Sequence, residues 1–117
     1  MPRDERAYLL DIIEACQAIN DAVAGFDFSC YENSRLVRSA VEREFIVIGE
    51  AMAALSRFAH ETFDLITRGR RIVDFRNQLT HEYHTVDDAI VWAVIKNYVP
   101  LLGRESKERL VRLEEAT

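Results

Sequence analysis

At 117 residues the chain is long enough to bury one hydrophobic core, and a 49% apolar composition with only two prolines excludes a disordered protein. No apolar run approaches the roughly 18 residues of a membrane span, and the charged N-terminal residues lack the pattern of a secretory signal. The net charge of −5 argues against non-specific binding of long DNA. We therefore expect one soluble, cytoplasmic domain over residues 1–117, without a membrane partner.

The first helix is predicted from residue 4 to about residue 24. Its apolar side chains recur every three or four residues and form one stripe, made of Leu9, Ile12, Cys16, Ile19, Val23 and Phe26. Gly25 follows the stripe and is predicted to end the helix. The spacing of Cys16 and Cys30 favours two reduced thiols over a disulfide, and no metal is expected.

A second helix is predicted from Ser29 to about Arg57, because Ser29 and Glu32 have the spacing of a capping box. Gly49 would permit a close helix crossing. One apolar stripe consists of Val41, Phe45, Ile48, Met52 and Leu55, and a second consists of Leu36, Ala40, Val47, Ala51 and Ala54. Since both stripes must be buried, we expect one to face its own bundle and the other a second copy in a homodimer.

The remaining chain predicts two further long helices. A short helical piece from His60 to about Thr67 and a turn at residues 68–70 precede a third helix, from about Arg71 to Tyr83. Residues 85–88 supply a cap for the last helix, which Pro100 should kink or divide. The sequence thus predicts an all-α, four-helix-type up-and-down bundle with a kinked or divided last helix.

The third helix concentrates polar side chains on one side. At 100° per residue an arc of about 160° holds Arg76, Asn77, Thr80, His81, Tyr83 and His84, and the opposite side holds Ile72, Phe75 and Leu79. Solvated helix faces are usually rich in Glu, Lys and Gln, so this composition favours a functional site. The alternative is a structural role, with a histidine near the helix end offsetting the helix dipole.

Arginine and histidine together can cleave RNA without a metal. An imidazole transfers protons near neutral pH, and a guanidinium binds a phosphodiester and stabilises its transition-state charge. Arg76 and His81 lie about 140° apart around the helix, so we expect them to flank a groove, to which a two-fold axis would bring a second copy of each. Attack by the ribose 2′-hydroxyl would give a 2′,3′-cyclic phosphate and a 5′-hydroxyl, and DNA would be inert.

Basic residues cluster just before this helix. Thirteen of the fifteen basic residues are arginine, and five of these lie between residues 57 and 76. The planar guanidinium fork suits phosphate oxygens. Arg68, Arg70 and Arg71, with His84 beyond the helix, are therefore candidate contacts for RNA or a partner protein, and a merely solvated run is the alternative.

Residues 76–83, RNQLTHEY, resemble the R-x-x-x-x-H-x-Y signature of the HepT-like branch of the HEPN superfamily. Residues 41–43 and 48–51 resemble that family's second helix, and residues 86–88, 91–92 and 99–102 resemble its closing segment. The similarity covers most of the chain in the expected order.

The resemblance implies a dimeric HEPN-like bundle that acts as the toxin of a type VII-like toxin–antitoxin pair, a metal-independent endoribonuclease without a cofactor. It assigns Arg76 and His81 as the catalytic pair, with Asn77 and Thr80 in supporting roles. It implies that an MNT-type nucleotidyltransferase antitoxin neutralises the toxin by adenylylating Tyr83. The alternative is a non-catalytic HEPN subunit that partners such a nucleotidyltransferase, and the acidic chain keeps this reading open.

Overall fold

The computed structural model describes residues 3–82 and 86–117. Within these ranges the chain forms helices and no strand, which confirms the all-α prediction. The helices are α1 (Glu5–Ala22), α2 (Phe28–Glu32), α3 (Arg35–Phe58), α4 (His60–Leu65), α5 (Gly69–His81), α6 (Asp88–Asn97) and α7 (Val99–Glu115). None of the described helices is both long and apolar enough to cross a membrane.

The stripe predicted for the first helix lies at the centre of the core. Helix α1 packs against both α3 and α7, and its residues Leu9, Ile12 and Ile19 have no exposed surface. Burial raises the pKa of the neighbouring Cys16 thiol to about 12, as expected of an unreactive core thiol. Gly25, with φ +76°, turns the chain after α1, which confirms the predicted stop.

The predicted start of the second helix is wrong, because this segment forms two helices, α2 and α3, instead of one. The Asp27 carboxylate caps α2 by accepting the Cys30 N–H at 2.8 Å, so Ser29 lies inside the first turn and is not the cap. The hydroxyl of Ser34 then accepts the Val37 N–H at 3.3 Å and begins α3. Serine and aspartate are both good N-cap residues. The structure uses Asp27 and Ser34 as caps, in place of the capping box predicted at Ser29 and Glu32.

The two apolar stripes of α3 are buried to different extents. The first stripe is fully buried, as predicted. Ala51 and Ala54 of the second stripe are also buried within the monomer. The prediction that a second copy buries this stripe is therefore wrong for its C-terminal half. At the other end Leu36 is 82% exposed. Only the first half of the stripe is therefore open to a second copy.

The last helix is divided, as predicted. Helix α6 ends at Asn97 and α7 begins at Val99, with Pro100 in the first turn of α7, where its missing N–H is not needed. At the joint, the buried Tyr98 hydroxyl donates a hydrogen bond to the carbonyl of Thr67 at 2.6 Å. This bond ties the α6–α7 joint to the segment that precedes α5, the helix that carries the predicted site.

Candidate functional site

Helix α5 positions the predicted catalytic residues, and it is held by its packing against α3. It begins two residues earlier than predicted, after Arg68, which adopts a left-handed conformation with φ 57°. The buried residues of α5 are Gly69, Ile72, Val73 and Leu79. They anchor one side of the helix over its whole length and leave the polar residues on the remainder.

Arg76 lies where α5 crosses α3. A Cβ built on Gly49 would lie 2.1 Å from the Cβ and 2.5 Å from the Cγ of Arg76, so only glycine fits at this point. The close crossing predicted at Gly49 is therefore confirmed, and Arg76 is the residue that uses it. The Nε of Arg76 is buried without a hydrogen-bond partner among the described residues, although the side chain as a whole is half-buried.

His81 lies on the open side at the end of α5. Its side chain is exposed. It lines a shallow depression of about 390 Å³, whose other lining residues are Asp74, Asn77, Gln78 and Glu82. Asn77 and His81 are four residues apart, so their side chains are neighbours on the helix surface. Two carboxylates thus share the surface on which the imidazole lies.

Arg76 does not share this open surface with Asn77 and His81, and the arc predicted from the sequence is wrong in this respect. The packed side of α5 includes Val73 and Gly69 as well as Ile72 and Leu79, which moves it around the helix toward Arg76. The reason is Gly49, whose missing side chain lets the Arg76 side of α5 approach α3. Arg76 and His81 therefore leave α5 on different sides, which fits residues that flank a groove.

Thr80, predicted to support the catalytic pair, is committed to its own helix. Its hydroxyl donates to the backbone carbonyls of Arg76 and Asn77, both at 3.1 Å. Such bonds are common for threonine within helices and orient the side chain along the helix surface. The hydroxyl of Thr80 is therefore satisfied by the backbone of α5 in the part of the helix that carries His81.

Two predicted site residues, Tyr83 and His84, lie outside the described residues. Their roles as modification site and as contact for RNA or a partner therefore stay predictions. Residue 83 follows the end of α5 by two positions.

The three predicted contact arginines are all exposed around the start of α5. The guanidinium carbon of Arg70 lies 5.5 Å from the centre of the Phe63 ring. Arg68 and Arg71 line a separate cavity of about 200 Å³, whose other walls are Ile72, Phe75, Val94 and Tyr98. Sequence reasoning missed this cavity, because Val94 and Tyr98 belong to a distant part of the chain whose apolar pattern indicated only core.

A second polar cluster, also missed, joins α2, α3 and α6 away from α5. The Tyr31 side chain is fully buried, and its hydroxyl has no hydrogen-bond partner within the described ranges. Burial and the nearby charges of Glu42 and Asp88 raise the pKa of Tyr31. Arg38 offsets this negative charge, with its Nε 3.8 Å from an Asp88 oxygen. The described part of the chain holds no group of three or more His, Cys, Asp or Glu side chains suited to a metal ion.

The fold and the site define a class of protein: an all-helical bundle with an arginine and a histidine five residues apart on one helix. The family model described as "Ribonuclease HepT-like" matches residues 12–109, and the chain belongs to this HepT-like family.

Curated relatives agree with this assignment. The chain is 30% identical over 103 residues to "Putative RNase MJ1380" of Methanocaldococcus jannaschii, a match that covers 88% of this chain and 94% of the relative. It is 29% identical over 110 residues to "Probable ribonuclease HepT" of Thermococcus cleftensis, covering 93% of this chain and 99% of the relative. No solved structure matches the chain at a significant level.

Proposed function

We propose that this chain is a metal-independent endoribonuclease whose catalytic pair is Arg76 and His81. The observation that carries the proposal is the arrangement of the second half of α5, where Arg76, whose Cβ is fixed against Gly49, and the exposed His81, five residues later, lie on two sides of one helix. If the two-fold axis of a dimer brings the imidazole of one copy to the guanidinium of the other, the groove holds both a phosphate-binding cation and a proton-transfer group, which metal-free RNA cleavage requires. Family membership and the names of the relatives support the same reaction class.

In the proposed reaction the ribose 2′ oxygen attacks the adjacent phosphorus, and His81 accepts the proton of the 2′-hydroxyl. The bond from phosphorus to the 5′ oxygen breaks, and that oxygen leaves with a proton, so the products are a 2′,3′-cyclic phosphate and a 5′-hydroxyl. The guanidinium of Arg76 binds the non-bridging oxygens and stabilises their growing negative charge. Since base and acid act on opposite sides of the phosphorus, a second copy of His81 supplies the leaving-group proton.

The need for a second histidine makes the homodimer part of the proposal. The open first half of the second stripe on α3, which includes the exposed Leu36 and Ala40, supports it. Large exposed leucines on a surface helix are typical of a protein–protein contact when they lie beside other apolar residues. The two-fold axis would place both copies of α5 across one groove.

The proposal extends to regulation. We infer that the chain is the toxin of a type VII-like toxin–antitoxin pair and that an MNT-type nucleotidyltransferase transfers AMP to Tyr83. Two residues of chain span at most about 7 Å, so an adenylyl group on Tyr83 lies close to His81. Its added negative charge and bulk would compete with the RNA phosphate for the groove.

The test is an RNA digest in EDTA, followed by analysis of the product ends. The wild type should give 2′,3′-cyclic phosphate and 5′-hydroxyl ends, and His81→Ala should slow cleavage at least about 100-fold, since general acid–base groups contribute about that much or more. Arg76→Ala should lose a similar factor. The matched control is His60→Ala, which removes another exposed histidine, at the start of α4, and should leave the rate unchanged. Undiminished cleavage by His81→Ala, or cleavage only with a divalent metal, would contradict the proposal.

One observation favours the second candidate, a non-catalytic binding subunit for a nucleotidyltransferase. Asp74 and Glu82 line the same surface as His81, and their carboxylates repel RNA phosphates. If the chain is only a binding subunit, His81→Ala keeps its biological effect, whereas Tyr83→Phe abolishes labelling by ATP and the partner enzyme. An RNase toxin instead loses its toxicity with His81→Ala.

A further inference from the structure

The cavity of about 200 Å³ between the first half of α5 and the α6–α7 joint combines two kinds of surface. Its walls are the side chains of Ile72, Phe75, Val94 and Tyr98, all of them buried or half-buried. Arg68 and Arg71 also line it, and both residues are exposed to solvent. The site is thus apolar and aromatic inside and cationic at its mouth.

The walls are held in place by contacts of their own. The Tyr98 ring is 6% exposed, and its hydroxyl is bound to the Thr67 carbonyl at 2.6 Å. The Phe75 ring packs edge-on against Phe45, with 5.2 Å between ring centres. Because these side chains are already fixed, a ligand that enters the cavity loses little free energy in ordering them.

The charge around the cavity favours an anion. Neither Arg68 nor Arg71 lies within ion-pair distance of a carboxylate in residues 3–82 and 86–117. The nearby Glu105 carboxylate, whose two oxygens accept the N–H and the hydroxyl of Thr67, both at 2.8 Å, offsets part of the positive charge of the two arginines. The first turn of α5 has no acidic residue and no side-chain cap, so the positive end of its dipole adds to the two arginines.

A nucleobase joined to a phosphate fits both kinds of surface. The volume of about 200 Å³ is below the roughly 300–1,000 Å³ of sites for drug-sized ligands, so the cavity suits a group as small as one ring system. A free phosphate would leave the apolar walls unused, and a purely apolar ligand would leave both arginines unused. Single-stranded RNA presents unstacked bases beside phosphates, and proteins bind them with aromatic and cationic side chains.

We propose that this cavity binds one unstacked base of a single-stranded RNA substrate while Arg68 and Arg71 hold the phosphate attached to it. The inference deepens the proposed ribonuclease function and rests on it. Arg71 precedes Arg76 by five residues, about 7.5 Å along the helix axis and about 140° around it, so the bound base belongs to a nucleotide near the scissile phosphate but not at it. The cavity thereby gives the enzyme a base preference at one fixed position beside the cut.

The experiment compares the wild type with two variants of the full chain. Val94→Phe fills the cavity, and Arg71→Ala removes a phosphate contact from the surface without filling the cavity. The matched control is Arg112→Ala, which removes an exposed arginine near the end of α7. Binding is measured by fluorescence anisotropy with labelled 2′-O-methyl hexanucleotides, which cannot be cleaved, and one abasic nucleotide is moved along the sequence. Cleavage positions are mapped separately by sequencing the ends of a digested random RNA pool.

We expect one abasic position to weaken wild-type binding about tenfold, in line with the loss of one stacked base. Val94→Phe should weaken binding of the intact oligonucleotide by a similar factor and remove the effect of the abasic position. Arg71→Ala should weaken binding several-fold, and Arg112→Ala should not. Both cavity variants should also lose the base preference next to the cut.

The possible results separate this inference from the ribonuclease proposal. Cleavage with a base preference that Val94→Phe and Arg71→Ala leave unchanged overturns the cavity inference and keeps the nuclease. Binding that depends on the cavity without any cleavage overturns the nuclease and keeps a nucleotide-binding site. If Val94→Phe fails to fold, as judged by circular dichroism, the cavity inference is tested by the abasic series with the wild type and by the binding of Arg71→Ala. Absence of any oligonucleotide binding by the wild type overturns the inference.

Discussion

The two ends of α5 differ in what they offer a ligand. At the start of the helix Arg68 and Arg71 border a partly open cavity with apolar walls, and no acidic residue lies in the first turn. At its end His81 lies on a shallow, open surface beside Asp74 and Glu82. The comparison teaches that apolar walls and positive charge, which favour binding, are separated along one helix from the group that can transfer protons. Arg76, fixed on Gly49, lies between them.

The largest expected effect comes from disturbing the contact between Gly49 and Arg76. Gly49→Ala places a Cβ 2.1 Å from the Cβ of Arg76, so α5 has to shift away from α3. We expect a loss of about 2–3 kcal/mol in the free energy of unfolding from overpacking and a fall in RNA cleavage of at least about 100-fold. Thermal unfolding and the EDTA digest measure the two effects.

Gly103→Ala is the matched control for this substitution. Gly103 lies inside α7, and its added Cβ would lie 3.6 Å from the Cβ of Cys16 on α1, an ordinary van der Waals contact between the two helices. Alanine is the better helix former by about 1 kcal/mol, so this variant should be slightly more stable than the wild type and equally active. Equal stability and activity of Gly49→Ala and the wild type would show that the crossing does not position Arg76.

The proposed reaction needs two proton-transfer groups, and α5 of one copy supplies only His81. Cleavage should therefore depend on the dimer. Leu36→Glu places a charge on a side chain that is 82% exposed in the monomer, so the fold should tolerate it. We expect the dimer to dissociate and cleavage to fall at least about tenfold. Light scattering coupled to gel filtration reports the mass.

Leu10→Glu is the control for the dimer test, since Leu10 is a large exposed leucine on α1, at 46% exposure. It should stay dimeric and active. A Leu36→Glu protein that remains a dimer, or a monomer that cleaves RNA at the full rate, would contradict the two-copy site.

A smaller effect is expected at the start of α5. Arg68 has φ 57°, and for a residue other than glycine this conformation costs about 1–2 kcal/mol. Arg68→Gly should therefore stabilise the fold by up to about 1 kcal/mol, after the greater chain entropy of glycine is deducted, while RNA binding weakens. Arg70→Gly, within the helix, should destabilise the fold by about as much. Chemical denaturation compares them, and a destabilised Arg68→Gly would argue that the arginine side chain makes a structural contact.

The smallest expected effect lies at the open end. Asp74→Asn removes a negative charge from the surface that holds His81, and RNA affinity should rise about threefold at low salt and less at high salt. Asp64→Asn on α4 is the control for the change in net charge. Equal gains for the two variants would mean that only net charge matters and that RNA does not approach this surface.

Much of the fold could be predicted from the sequence, because its strongest signals are local. The α1 stripe, the stop at Gly25 and the division before Pro100 depend on spacing within a few residues, and all three are confirmed. The break between α2 and α3 was missed because several residues near position 30 can each cap a helix, and only packing selects among them.

The site was less predictable, because its geometry depends on other helices. A helical wheel treats α5 in isolation, so it could not show that Gly49 draws Arg76 into the contact with α3. The close crossing at Gly49 was predicted from its place within a long helix, but its partner was not. The cavity needs Val94 and Tyr98, which follow Arg71 by more than twenty residues, and no local pattern joins them.

The most direct test of the central claim, that Arg76 and His81 cleave RNA without a metal, is phosphorus NMR of an oligoribonucleotide digested in EDTA. We predict the resonance of a 2′,3′-cyclic phosphate with the wild type and its absence with His81→Ala under the same conditions. Products that carry 5′-phosphate ends, or an equal cyclic phosphate signal from His81→Ala, would contradict it.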